Sequence, residues 1–129
     1  MRVVLCHGVF DLLHAGHLHH LKQASKLGRL VVSVVSDEYL LHKRPIYPHA
    51  HRVALLKELR CVSEVRLCQA VGPHLILRKL LPDIYARGPD YRGKTMPESA
   101  LLNELGIRVH YTSEGPMRTS KAIAKVRHG

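Results

Sequence analysis

The sequence has 129 residues, a length that fits one compact domain with a single core. Its composition, 46% hydrophobic and 23% charged, is that of a folded globular protein and excludes a disordered or fibrous chain. Twenty Lys and Arg against ten Asp and Glu give a formal net charge of +10, which favours nucleotides, nucleic acids or sugar phosphates as partners. We therefore predict a single domain over residues 1–129 that acts on an anion.

Two further features of the composition bear on the class of protein. The chain has no Trp, one Phe and five Tyr, which leaves few rings to stack on unpaired bases and argues against nucleic acid as the partner. Cys6, Cys61 and Cys68 form no C-x-x-C pair, so they predict neither a disulfide framework nor a zinc site. With no apolar stretch near the ~18 residues of a membrane helix, we expect a soluble, cytoplasmic protein.

Strand-like and helix-like segments alternate along the chain. Short apolar or β-branched runs predict strands at 3–6, 30–35, 65–68, 84–86 and 107–111. Helical periodicity predicts helices at 17–27, 51–59, 73–81, 97–105 and about 120–126. This alternation predicts an α/β fold, a single Rossmann-like sandwich with a five-stranded parallel sheet and helices on both faces. The continuous apolar run at 30–35 predicts a central strand.

Several residues mark the expected helix ends. Pro73 suits a first helical position, and Pro82 stops the same helix. Thr95 and Glu98 have the spacing of a capping box, and Gly106 stands where a left-handed residue ends a helix. The fourth predicted helix therefore begins close to residue 97 and ends before Gly106.

In a parallel sheet, ligands bind at the carboxyl ends of the strands, so the loop after the first strand is a predicted site. His14 and His17 are three residues apart at the start of a helix, beside backbone N–H groups that attract phosphate. Gly8 and Gly16 permit close approach of the backbone to a ligand. Two alternatives remain at this point: a turn with two exposed histidines, or a metal site built from His14, His17, His19 and His20.

A long motif in this loop resembles a known family. Residues 8–17, GVFDLLHAGH, resemble the G-x-F-D-x-x-H-x-G-H signature of the cytidylyltransferase-like nucleotidyltransferases. Further matches to that family run through most of the chain: SDE at 36–38, KRPI at 43–46, HR at 51–52, LRCV at 59–62, PDI at 82–84, GPDY at 88–91 and RTS at 118–120. Cys6 departs from the pattern, because the family carries Thr at that position.

The resemblance implies a role for each matching residue. It assigns His14 and His17 to the nucleotide phosphates, Lys43 to a contact bridging the triphosphate and the acceptor phosphate, and Arg118 to the outgoing pyrophosphate. It implies a nucleotide-binding set as well: the phosphate loop at Gly8, Val9, Phe10 and Gly16, the nucleoside at Gly88 and Asp90, and pyrophosphate at Thr119 and Ser120. The implied cofactor is Mg²⁺ on the triphosphate, with no metal-binding residues in the protein, and the implied assembly is a homodimer.

Residues 88–95, GPDYRGKT, also match the phosphate-binding P-loop pattern, which makes a phosphotransferase using Lys94 an alternative. Pro97 argues against it, because a P-loop helix beginning near Gly93 needs the N–H of residue 97 as a donor. A basic nucleic-acid-binding module without catalysis is a second alternative, and its binding would weaken steeply with salt.

The favoured prediction is a nucleotidyltransferase. It transfers a nucleoside monophosphate from ATP or CTP to a small phosphorylated acceptor and releases pyrophosphate. The segments at 59–62 and 90–92 resemble heptose-phosphate adenylyltransferases, whereas 118–119 resembles glycerol-phosphate and ethanolamine-phosphate cytidylyltransferases. The segment 119–123 resembles small archaeal enzymes, some of which make flavin dinucleotide. We favour a sugar phosphate as the acceptor.

Overall fold

The computed structural model of the protein describes residues 1–41 and 45–114. Within them the strands are β1 (Val3–Gly8), β2 (Arg29–Val35), β3 (Glu64–Cys68), β4 (Ile84–Arg87) and β5 (Arg108–Tyr111). The α-helices are α1 (Ala15–Ser25), α2 (His49–Lys57), α3 (His74–Leu80) and α4 (Ser99–Leu105), and short 3₁₀ helices at Asp37–Tyr39 and Pro89–Tyr91 follow β2 and β4. The predicted helix at 120–126 lies outside the described residues.

The sheet is parallel throughout, with the strand order β3-β2-β1-β4-β5. From β1 the chain winds outward to β2 and β3, then returns to the other side of β1 and continues to β4 and β5. The winding therefore reverses between β1 and β4, which is where open sheets of this kind bind their ligands.

Alternating side chains of the strands build one apolar layer on each face of the sheet. Val4 and Leu5, adjacent in β1, are both fully buried and point into different layers. One layer includes Leu21 and Ala24 of α1 and Leu56 of α2. The other includes residues of α3 and α4, among them Leu77 and Leu102. The predicted sandwich, its five strands and its two helical faces are confirmed.

The bounds of α3 lie within one residue of the prediction, with Pro73 as the N-cap rather than the first helical residue, and the end of α4 matches it. Gly106 has a left-handed φ of 68° and ends α4 as predicted. The helix α3 ends at Leu80, and Leu81 adopts φ 49° immediately before Pro82. Proline disfavours a right-handed helical residue before it, which explains why the chain leaves the helix there.

The predicted capping box is wrong. The helix α4 begins at Ser99 rather than near 97, and Glu98 makes no side-chain cap. The Glu98 carboxylate is instead buried and accepts a hydrogen bond from the Tyr85 hydroxyl at 2.7 Å. The Ser99 hydroxyl accepts the Met96 N–H at 3.0 Å, a contact to the chain just before the helix. The Glu98 carboxylate therefore binds Tyr85 of β4 instead of capping the helix, which is the role that the local sequence pattern predicts.

Candidate functional site

The two histidines of the first loop lie against each other at the start of α1. His14 is the N-cap residue, with extended backbone, and its Nδ1 accepts the Gly16 N–H at 3.0 Å. The Nδ1 of His17 accepts the His14 N–H at 3.4 Å, which completes a reciprocal cap. The rings stack with centroids 4.1 Å apart. This use of His14 as a cap makes α1 begin at Ala15, two residues before the predicted start.

Burial keeps both imidazoles neutral. The Nδ1 atoms of the two rings accept backbone N–H groups, and the His17 ring also hydrogen-bonds the Leu12 backbone. Burial, followed by the charges of His14 and His20, lowers the pKa of His17 to about 4, and burial lowers the pKa of His14. The pair is therefore neutral at physiological pH.

The loop before the pair has a constrained backbone at Phe10. This residue has a left-handed φ of 52°, which is uncommon for a side chain with a Cβ atom. The conformation aims the buried Phe10 ring at His17, with centroids 5.9 Å apart in an edge arrangement. A Cβ on Gly8 would meet the Phe10 ring at 3.1 Å, so the ring also requires a small residue at the end of β1. Gly8, Val9 and Phe10 thus form a constrained segment that leads from β1 towards the histidines.

The predicted nucleoside residues follow the neighbouring strand. Gly88 comes directly after β4, and Asp90 lies, exposed, in the 3₁₀ helix that Gly88 precedes. Because β1 and β4 pair in parallel, the loops after Gly8 and after Arg87 leave the same edge of the sheet. A Cβ added at Gly88 would contact nothing within 4 Å, and its φ of −71° suits any residue. The protein's own packing therefore does not require glycine at this position.

Arg87, the last residue of β4, is a cation at this edge that the sequence analysis missed. Its guanidinium carbon lies 3.7 Å from the centre of the Tyr91 ring, and Nη1 donates to the His7 carbonyl at 3.3 Å. The Nε is buried and has no hydrogen-bond partner among the described residues. Burial and then the charge of Arg87 lower the pKa of His7 to about 4. Its position directly before Gly88 of the GPDY motif was the available signal.

A second contact joins α1 to the chain leaving β5. The Nδ1 of His20 lies 2.6 Å from the Thr112 hydroxyl, and its Nε2 lies 3.6 Å from the thiol of Cys6. The side-chain oxygen of Gln23 accepts the Ser113 N–H at 2.8 Å. The helix that presents the histidine pair therefore also holds the first residues after the last strand.

The remaining predicted residues, Lys43, Arg118, Thr119 and Ser120, lie outside the described residues. Within residues 1–41 and 45–114, no group of three or more His, Cys, Asp or Glu is arranged to hold a metal ion. In the same ranges, no helix is long and apolar enough to cross a membrane.

The P-loop alternative does not fit the structure. Its helix would begin at the Gly93-Lys94 step, whereas α4 begins at Ser99. The segment forms a 3₁₀ helix at Pro89–Tyr91 and then a turn with Gly93 at φ 78°. Lys94 and Thr95 are both exposed, well before the helix.

A doubly wound parallel sheet with a histidine pair at the first helix defines a nucleotide-binding α/β protein. The chain belongs to the cytidylyltransferase-like family, whose model matches residues 5–114, and it is a nucleotidyltransferase. The resemblance that the sequence motifs indicate is thereby confirmed, and the interpretation as a module without catalysis is not retained.

Several proteins of known name are similar to this chain. The chain is 37% identical to the D-beta-D-heptose 1-phosphate adenylyltransferase of Bordetella bronchiseptica, over 98% of this chain and 83% of that protein. It is 40% identical to the FAD synthase of Thermococcus onnurineus, over 95% of this chain and 89% of that protein. It also spans 24% of a larger relative, the bifunctional protein HldE of Streptomyces coelicolor. Among solved structures, a lipopolysaccharide core biosynthesis protein from Thermoplasma volcanium superposes with a TM-score of 0.76, at 34% identity, covering 92% of this chain and 99% of that one.

Proposed function

We propose that this nucleotidyltransferase transfers AMP from ATP to a sugar phosphate and releases pyrophosphate. The observation that carries the proposal is the stacked pair of His14 and His17, which places two neutral imidazoles side by side at the start of α1. The relative that shares 37% identity over nearly the whole chain is a heptose 1-phosphate adenylyltransferase, which supports both the adenylyl group and the acceptor.

The reaction needs no protein nucleophile. An oxygen of the acceptor phosphate attacks the α-phosphorus of ATP, a new P–O bond forms, and the bond to the pyrophosphate oxygen breaks. Negative charge builds on the equatorial and leaving oxygens, where fixed N–H donors stabilise it. The buried thiol of Cys6 takes no part, because burial raises its pKa to about 12 and keeps it protonated.

Positive charge from other segments completes the proposed site. Lys43 bridges the triphosphate and the acceptor phosphate, and Arg118 with Thr119 and Ser120 binds the outgoing pyrophosphate. The attachment of Ser113 to α1 supports the second assignment. Arg118 lies five residues beyond Ser113, and an extended chain of that length spans up to roughly 17 Å. The helix rises about 14 Å from Gln23 back to His14, so the reach is sufficient.

The nucleoside lies, in this proposal, along the loop after β4. The open space around the Cβ position of Gly88 admits a ribose close to the backbone, and Asp90 follows two residues later. Arg87 supplies positive charge beneath this loop, with a buried Nε that has no partner in the described part of the chain. Mg²⁺ bound to the triphosphate as part of the substrate would neutralise some of its charge. The cytoplasmic location and the homodimer stay predictions.

A second acceptor has its own support. The 40% identical relative is an FAD synthase, which makes FMN the alternative to a sugar phosphate. Both reactions are adenylyl transfers to a phosphate monoester, so the catalytic histidines serve either acceptor.

Pyrophosphate release with each of the four nucleoside triphosphates, against heptose 1-phosphate, glycerol 3-phosphate, phosphoethanolamine, phosphocholine and FMN, tests the proposal. We expect turnover with ATP and heptose 1-phosphate, and identification of the ADP-sugar by mass spectrometry. Turnover with FMN alone would favour the second acceptor. Turnover with CTP but not ATP would reject adenylyl transfer.

A further inference from the structure

We propose that Asp11 and Arg52 are positioning residues that clamp the phosphate loop to the segment following Lys43. Neither has a role in the site described above, although both stand in motifs that match the family. The inference rests on the proposed function, because it concerns how two parts of the same nucleotide site are held in register.

Asp11 binds the far segment through its carboxylate. One oxygen accepts the Ile46 N–H at 2.8 Å, and the other accepts the Tyr47 N–H at 2.9 Å. Asp11 lies in the loop between β1 and α1, and Ile46 lies three residues after Lys43 in the sequence. With both oxygens engaged by backbone donors, this carboxylate is built to hold a loop.

Arg52 binds the same junction from inside the protein. The side chain is fully buried, and Nε donates to the Tyr47 carbonyl at 3.1 Å. Its Nη1 donates to the Val9 carbonyl at 2.7 Å and to the Val35 carbonyl at 2.9 Å. Its Nη2 pairs with Asp37 at 2.6 Å, which compensates the buried charge. One guanidinium therefore joins the end of β2, the phosphate loop and the segment before α2.

Asp11 and Arg52 hydrogen-bond both backbone groups of Tyr47. Asp11 accepts from the Tyr47 N–H, and Arg52 donates to the Tyr47 carbonyl. On the phosphate loop, their attachment points, Val9 and Asp11, flank Phe10. That residue holds the left-handed conformation that aims its ring at His17. Such a conformation persists only where its surroundings fix it, and the clamp fixes it from both sides.

The consequence is a geometric link between two parts of the site. Hydrogen bonds join the phosphate loop to residues 46 and 47, so the loop that leads to the histidine pair is held in register with the chain that follows Lys43 in the sequence. Misplacement of a phosphate-binding group by about 1 Å is costly in rate and affinity. Loss of the clamp therefore weakens nucleotide binding even though neither residue touches the nucleotide.

Asp11→Asn tests the clamp, because the amide keeps the size of the side chain but places a donor opposite one N–H. Asp83→Asn is the matched control: its carboxylate also accepts a backbone N–H, that of Val3 at 2.7 Å, at the opposite end of the sheet. The measurement is equilibrium binding of Mg·ATP by calorimetry to wild type, both variants, Lys43→Ala and Asp11→Asn with Lys43→Ala. Thermal unfolding of each variant establishes that it is folded.

We expect Asp11→Asn to weaken Mg·ATP binding about tenfold and Asp83→Asn to leave it unchanged. Lys43→Ala should weaken binding in the wild-type background and cost much less when Asp11 is already replaced, because Ile46, which Asp11 binds, is only three residues from Lys43 in the sequence. Equal losses in the two Asn variants, no loss with Asp11→Asn, or the same factor for Lys43→Ala in both backgrounds would overturn the clamp. Failure of the wild type to bind Mg·ATP would instead reject the proposed function.

Discussion

The imidazole of His20 and the hydroxyl of Thr112 meet at 2.6 Å, which ties the middle of α1 to the chain just beyond β5. The first turn of the same helix carries His14 and His17. The helix α1 therefore carries the histidine pair and also contacts the chain just after β5, which leads in the sequence to Arg118. These hydrogen bonds hold α1 against Thr112 and Ser113.

Replacing either histidine of the pair tests the central assignment. We expect His14→Ala and His17→Ala each to lower turnover by about two to four decades, the range for losing a preorganised donor to a transition state. The measurement is steady-state pyrophosphate release with ATP and the acceptor that the screen identifies. Because His14 also caps α1, thermal unfolding of each variant separates a lost cap, worth about 1 kcal/mol, from lost chemistry.

Lys94→Ala is the control for this experiment. Lys94 is exposed and precedes α4 by several residues, so its removal should leave turnover nearly unchanged. A protein that loses turnover with Lys94→Ala and keeps it with both histidine variants would operate through the P-loop pattern, contrary to the proposal.

Stability should fall on mild acidification because of the histidines. The pKa values of His7, His17 and His20 lie near 4 in the folded protein, mainly through burial, against 6.5 for a free histidine. Between pH 4 and 6.5 the unfolded chain binds protons that the folded protein does not. The stabilising free energy from these neutral histidines is therefore fully present above pH 6.5 and is lost as the pH falls towards 4. Each unit of pKa difference corresponds to about 1.4 kcal/mol.

His20→Gln isolates one of these contributions, because glutamine can still bond Thr112 but does not titrate in this range. The free energy of unfolding, measured with urea at half-unit steps from pH 7.5 to 4.5, should decline less steeply in the variant than in the wild type. Parallel curves for the two proteins would show that His20 is not held neutral by the fold.

The alternation of strands and helices was predictable because each segment's periodicity is a local property. The long apolar run of β2 predicts a central strand, and β2 is an interior strand paired with β1 and β3, although β1 occupies the middle of the sheet. The start of α4 was not predictable in the same way. Thr95 and Glu98 have the correct local spacing, but the hydroxyl of Tyr85 competes for that carboxylate, and this contact depends on the tertiary fold.

In the candidate site, too, some features follow from the local sequence and others depend on tertiary contacts. The spacing of His14 and His17 predicts that they share one side of a helix, and the structure confirms that they stack. The importance of Arg87 and Arg52 follows only from contacts with other elements, since an isolated arginine in a sequence is most often a solvated charge. Full burial of Arg52 beside four acceptors is a product of the assembled sheet.

Gly88→Ala tests the assignment of the loop after β4 to the nucleoside. Its backbone conformation suits alanine and its Cβ direction is open, so the free energy of unfolding should change by less than about 0.5 kcal/mol. The KM for ATP should rise about tenfold if a ribose occupies that space. Gly93→Ala is the matched contrast: its φ of 78° predicts a loss of about 1 kcal/mol in stability with an unchanged KM. An unchanged KM for ATP in Gly88→Ala would show that the nucleoside does not bind beside Gly88.

The role of the Arg87 guanidinium can be tested by two independent measurements. Its charge lowers the pKa values of His7 and His20, after burial, so Arg87→Leu should raise both, as measured by NMR titration of the imidazole Cε1–H signals. The same variant should weaken binding of the phosphorylated substrates roughly tenfold or more, the scale of a charge-assisted hydrogen bond. Arg87→Lys keeps the charge but loses the planar stack on Tyr91, so it should restore the histidine pKa values and only part of the affinity. If Arg87→Leu shifts the histidines and leaves substrate binding unchanged, the guanidinium supports the fold at this edge of the sheet and contacts no substrate.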